Sequence, residues 1–145
     1  MPSEDEPLET VALSVPEPEF ARLNSLYPPT VKSSTVGDRA IELVQFYFRT
    51  QDAACTFRFP GNGCDLETQV NGTTHRIEVK GTADLDIAWT KLKVSGAPSY
   101  NALLNGMPLY RVTGVYERNP VLFILRYQHD FEMQPEARWS ISRKA

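Results

Sequence analysis

The chain has 145 residues, 41% of them apolar and 10% aromatic, with 18 Asp and Glu against 15 Lys and Arg (net charge -3) and two cysteines. That length suits one domain with its own core, and the apolar content excludes a fully disordered chain. No apolar run approaches the roughly 18 residues of a membrane helix, Cys55 and Cys64 make neither a disulfide framework nor a zinc-ligand spacing, and the acidic opening MPSEDEPLET lacks the apolar stretch of a secretory signal. The expected setting is intracellular, cytoplasmic or nucleoid-associated, with no membrane partner.

Residues 1–19 are rich in Glu, Pro and Ser and read as a flexible acidic tail, leaving 20–145 as a single domain. Phe20 to Leu26 forms one short helical turn, ended by Tyr27-Pro28-Pro29. A helix follows from about Gly37 to Thr50, with Ile41, Val44 and Phe48 on its apolar side. Cys55 to Phe59 alternates like a strand, and Pro60-Gly61-Asn62-Gly63 is a turn cluster. Cys64 to Val70 and Thr73 to Thr82 are strands joined by Asn71-Gly72, a type I′ hairpin signal. Residues 88–104 mix helical pieces with the breakers Gly96 and Pro98. Leu109 to Tyr116 and Val121 to Tyr127 are apolar strands, and Trp139 to Ser142 adds an edge strand. The order helix, three strands, helix, strands implies an α/β fold with helices packed on a mixed sheet.

Charge is unevenly distributed. Residues 1–19 carry six acids and no Lys or Arg, a local charge of -6, which leaves +3 on 20–145. From residue 88 onward eight basic residues face four acidic ones. A mildly basic body is compatible with a phosphate-bearing partner without requiring one.

The Asn71-Gly72 turn fixes a register in which opposed residues sum to 143. Leu66 then faces Ile77 on one side of the hairpin, and Glu67 faces Arg76 on the other. Asp65 falls opposite Glu78, on the side of Glu67 and Arg76. Carboxylates about 5 Å apart repel by roughly 3 kcal/mol at an effective dielectric near 20. A divalent cation between them removes that cost, and hard oxygen ligands suit Mg²⁺ or Mn²⁺. Lys80 projects from the same face as Glu78. Two carboxylates, a cation and an ammonium suit phosphodiester hydrolysis by activated water.

Asp65 followed by Glu78-Val79-Lys80 on the next strand resembles the PD-(D/E)xK nuclease signature. The string GCDLETQVNGTTHRIEVKGT, with Trp89-Thr90 and Leu109-Tyr110-Arg111-Val112, is similar to the nuclease-like domain at the C-terminal end of the plant protein NO VEIN and of many microbial proteins. The resemblance covers about residues 36–127, with Cys64 in the place of the motif's proline. It implies a restriction-endonuclease-like mixed central sheet flanked by helices, and a nuclease acting on DNA. It further implies metal binding by Asp65 and Glu78, an added ligand from the Val79 carbonyl, water activation by Lys80, and an accessory acid on the first helix, for which Glu42 is the available residue. The alternatives are a non-cleaving module that binds nucleic acid or protein on the same fold, and a homodimer or a subunit of a defence or repair complex. His75 reads as a packing histidine, His129-Asp130 as a pair pointing apart along a strand, and Trp89, Tyr110, Tyr116 and Trp139 as core aromatics rather than base-stacking ones. Thr82 fits a phosphate contact or an exposed strand end equally well.

Overall fold

The computed structural model describes residues 7–135 and 141–144. In chain order the elements are β1 (Glu9–Ala12), α1 (Glu17–Leu26), α2 (Ser33–Gln51), β2 (Thr56–Arg58), β3 (Leu66–Val70), β4 (Thr73–Gly81), α3 (Ala97–Leu104), β5 (Leu109–Thr113) and β6 (Val121–Leu125), with a 3-10 turn at Trp89–Lys91 before α3. The strands form one sheet in the order β1-β6-β5-β4-β3-β2. Every neighbouring pair is antiparallel except β4 and β5, which run parallel. A parallel pair needs a long crossover, and residues 82–108 with α3 supply it.

Asn71 (φ 50°) and Gly72 (φ 81°) both take the left-handed conformation that a type I′ turn demands. The register therefore runs as expected from Val70–Thr73 to Leu66–Ile77. Side chains alternate along β4, so Ile77 and Val79 join Leu66 and Val70 in the larger core, under Ala40, Leu43, Val44 and Phe48 of α2. Arg76, Glu78 and Lys80 point to the opposite face, where α3 and a smaller cluster of Leu103, Leu109 and Leu125 lie. Burying each large aliphatic side chain is worth about 1.5–3 kcal/mol, so the larger core locks the rotation of β4 and with it the side on which its charged residues emerge.

α2 lies close against β4 at Gly81. A Cβ there would stand 2.6 Å from the Ala40 Cβ and 3.0 Å from the Val36 carbonyl oxygen. Gly81→Ala is expected to cost about 1–3 kcal/mol by overpacking, and Gly81→Ala with Ala40→Gly to recover part of the loss. Thermal denaturation of the two variants checks this.

Several sequence expectations need correction. Residues 9–19 are not all tail, because β1 pairs with β6 and α1 begins at Glu17. The alternation Val11-x-Leu13-x-Val15 carries that edge: Leu13 and Val15 are buried, and their N–H groups bond to the carbonyls of Pro120 and Arg118. Pro18 is tolerated because it falls in the first turn of α1. The following helix starts four residues earlier than expected, at Ser33. Strand β5 ends at Thr113, where Gly114 (φ 58°) turns the chain and Val115 N–H bonds back to the Thr82 carbonyl. Of the expected edge strand, Trp139 and Ser140 lie outside the described residues, and Ile141-Ser142 are not in a strand. No helix among the described residues is long and apolar enough to cross a membrane.

Candidate active site

Asp65 lies one residue outside β3, at a bend leaving the loop Pro60–Cys64. Gly61 and Cys64 bond to each other through both their N–H and carbonyl groups, closing that loop on itself. Gly63 has φ +97°, and a Cβ on it would stand 2.8 Å from the Pro98 carbonyl, so the first turn of α3 rests directly on the loop. Only glycine serves both conditions. Asp65 N–H donates to the Ile77 carbonyl at 3.1 Å, although the register already gives Ile77 to Leu66. The chain has slipped by one residue, as at a β-bulge. The expected face-to-face pairing of Asp65 with Glu78 is thus corrected: Asp65 reaches over β4 from the strand end. Its Oδ2 accepts the Val79 N–H at 2.9 Å.

The slip still brings the two acids together. Glu78 is only 3% exposed. The Asp65 carboxyl and the Ser99 side chain, in the first turn of α3, both act on its ionisation. Burial, then the hydrogen bond to Asp65, then the Asp65 charge push the Glu78 carboxyl up to about 8, while Lys80 and Ser99 pull it down. The carboxyl pair therefore favours keeping a proton well above the ordinary carboxylate range, and a cation bound there would favour its release. Ser99 was not singled out by sequence reasoning, and nothing in a lone serine two residues past Gly96-Ala97 marks it; only the seating of α3 on Gly63 brings it to Glu78. Ser99→Ala is expected to move the Glu78 titration further upward, as read by NMR of its side-chain carboxyl.

Lys80 is half-buried on the same face, two residues beyond Glu78. Its partner across the parallel ladder is Arg111. Arg111 is 3% exposed and donates to the Ile87 carbonyl at 2.8 Å and the Gly81 carbonyl at 3.1 Å. It fastens the segment after β4 to the sheet beside the acids, a role its place in the sequence did not disclose. Val79 has its N–H on the β3 side of β4, because Glu78 and Thr82 send theirs to Pro108 and Val112 beside β5. The Val79 carbonyl shares that edge, past the point where β3 begins.

Glu42 does not join the group. It lies on α2, which packs on the opposite face of the sheet, and its Oε2 is held by Arg22 at 2.9 Å. The expectation that it completes a metal shell is corrected on that ground. Among the described residues no cluster of three or more Asp, Glu, His or Cys is placed to hold a metal ion. His75 stacks on Phe48, as a packing histidine would. His129 Nδ1 and Asp130 Oδ1 do touch, at 3.0 Å, because they sit in a turn after β6 rather than in a strand; Asp130 also caps the Arg126 N–H. Thr82 is buried and bonded to Asp84 N–H, so it is neither of the exposed groups considered for it. Tyr110 is buried, and Tyr116 packs against the core while its hydroxyl donates to the Thr30 carbonyl. Trp89 is 48% exposed rather than in the core. Trp139 lies outside the described residues. No protein-family model, curated protein or solved structure matches the chain.

Proposed function

We propose that this protein is a metal-dependent nuclease that hydrolyses phosphodiester bonds of DNA on a restriction-endonuclease-like fold. The observation that carries the reading is the half-buried Asp65 carboxyl acting on the buried Glu78 carboxyl, with Lys80 on the same face. The fold reading draws support from the order of elements around that pair: a helix, the antiparallel β2-β3-β4 meander, a crossover helix, then β5 parallel to β4.

The donor set fits Mg²⁺ or Mn²⁺. Magnesium is commonly bound through one or two carboxylates with its other positions left to water and substrate phosphate, and two carboxylates beside an edge carbonyl supply that much. Asp65, Glu78 and the Val79 carbonyl would hold the ion, which contributes Lewis-acid polarisation of a phosphoryl oxygen and a water acidified toward neutrality. Asp65 is kept in place by the Val79 N–H, so its free oxygen is aimed before substrate arrives. Glu78 gives up its proton as the site fills. Lys80 then orients the attacking water by hydrogen bonding and compensates the negative charge that grows on the phosphoryl oxygens.

Cleavage of DNA by the purified chain in Mn²⁺ or Mg²⁺, abolished by EDTA and by Asp65→Ala, is the expected result. No cleavage of single- or double-stranded DNA in either ion would defeat the reading. One observation favours a second reading, a non-cleaving module: Glu42 is tied to Arg22, which leaves two carboxylates at the site. Such a module would bind nucleic acid equally in EDTA and in Mn²⁺ and cut nothing.

A further inference from the structure

Beside the acid pair, on the side away from Lys80, the surface opens into a cleft of about 470 Å³. Its lining includes Asn62, Gly63, Arg76, Asn105, Pro108 and Arg126, and no Asp or Glu among the described residues. It runs directly off the candidate site: Gly63 precedes Asp65 by two residues, and the Pro108 carbonyl accepts the Glu78 N–H at 3.1 Å. Arg76 stands two residues before Glu78 on the same face of β4, a separation of about 7 Å along the strand.

Both arginines are exposed, and among the described residues neither guanidinium makes an ion pair. The neighbouring acids are engaged elsewhere. Glu67 faces Arg76 in the register but leans to Arg58, at 3.8 Å. Asp130 takes the backbone N–H of Arg126 on one oxygen and His129 on the other. Two guanidinium groups that line one concavity, with no carboxylate within 4 Å of either among the described residues, give it a positive lining. A phosphate suits that lining, since each guanidinium offers it a planar pair of donors, and the Asn62 and Asn105 amides lie within the same cleft.

We infer that this cleft is a phosphate subsite for the nucleic-acid strand, in which Arg76 and Arg126 hold the backbone next to the bond lying over Asp65 and Glu78. The inference rests on the nucleic-acid part of the reading above and not on cleavage. The spacing from Arg76 to Glu78 is commensurate with that of successive phosphates on one strand. A strand seated this way has one phosphate at the acids and the next at the arginines.

The test is binding of a labelled single-stranded oligonucleotide in EDTA, where no cut can occur, as a function of salt. Arg76→Gln with Arg126→Gln is expected to weaken binding roughly tenfold and to flatten the plot of log affinity against log salt by about 1.4, the value for two lost phosphate contacts on a single strand. Lys32→Gln with Arg49→Gln removes the same charge from exposed positions at the N-cap and in the last turn of α2, across the sheet, and is expected to change neither by as much. Unchanged affinity and slope in the first variant, or equal losses in both, would overturn the inference. Displacement of the oligonucleotide by equimolar inorganic phosphate would also overturn it, since the ligand would then be a free anion. Binding through these arginines without cleavage in any ion would uphold it and remove the nuclease reading.

Discussion

Lys80→Ala is expected to slow metal-dependent cleavage by about 10³-fold while leaving the fold and the capacity to bind Mn²⁺ in place. The magnitude is that of losing one preorganised charged donor from a phosphoryl-transfer site. Lys80 is two residues beyond Glu78 on the same face, and its removal leaves the Val79 N–H contact to Asp65 in place. It does remove a charge that pulls Glu78 downward, so the variant should need a higher pH to take up the ion. Lys80→Arg is not expected to restore the rate, because a planar guanidinium cannot take the position of a compact ammonium next to Arg111. Single-turnover cleavage together with Mn²⁺ binding checks both halves, and wild-type cleavage by Lys80→Ala would end the proposed role.

Glu78→Gln is expected to make the metal-free protein more stable at pH 9 and to erase most of a pH dependence that the wild-type chain shows. The sign follows from Glu78 titrating near 8 when folded and in the ordinary carboxylate range when unfolded. Below about pH 4 both states hold the proton and the group contributes no difference. Between there and about pH 8 the folded state keeps a proton that the unfolded state has released. Stability therefore falls as pH rises through this window and levels off above it. The full loss is at most about 5 kcal/mol, by the usual conversion of a titration shift into free energy. Glutamine keeps the shape and donates to Asp65 at every pH, so its stability should be flat across the window. Mg²⁺ or Mn²⁺ should raise the wild-type melting temperature most at high pH, where no proton has to be displaced, and should leave Glu78→Gln nearly unmoved. Melting curves from pH 5 to pH 9, with and without the ion, decide the matter. Equal slopes for wild type and variant would show that Glu78 ionises freely.

The local signals in the sequence carried the hairpin and what depends on it. A two-residue turn with two left-handed positions fixes strand register by backbone geometry alone, and the alternation of Leu66, Val70, Ile77 and Val79 chooses the buried face. Together these put Glu78 and Lys80 on one side of the sheet whatever else the chain does. The same kind of signal is present in Val11-x-Leu13-x-Val15, but the acidic and proline-rich composition around it reads as tail and hides β1. Composition is an average over a segment, whereas an edge strand needs only two buried side chains and a neighbour with open backbone groups.

Turn type and alternation, then, fix which charged side chains β4 carries and the face they emerge on. The tertiary structure decides which residues join them. Asp65 arrives through a one-residue slip that a strict hairpin register does not contain, because the first turn of α3 presses on Gly63 and bends the entry to β3. Ser99 arrives with that same turn, and Glu42 is excluded because α2 lies across the sheet and Arg22 claims its carboxylate. Contacts between residues close in sequence follow from turn type and alternation. Those between elements depend on which helix covers which face, and that is settled by burial summed over the whole chain rather than by any one segment.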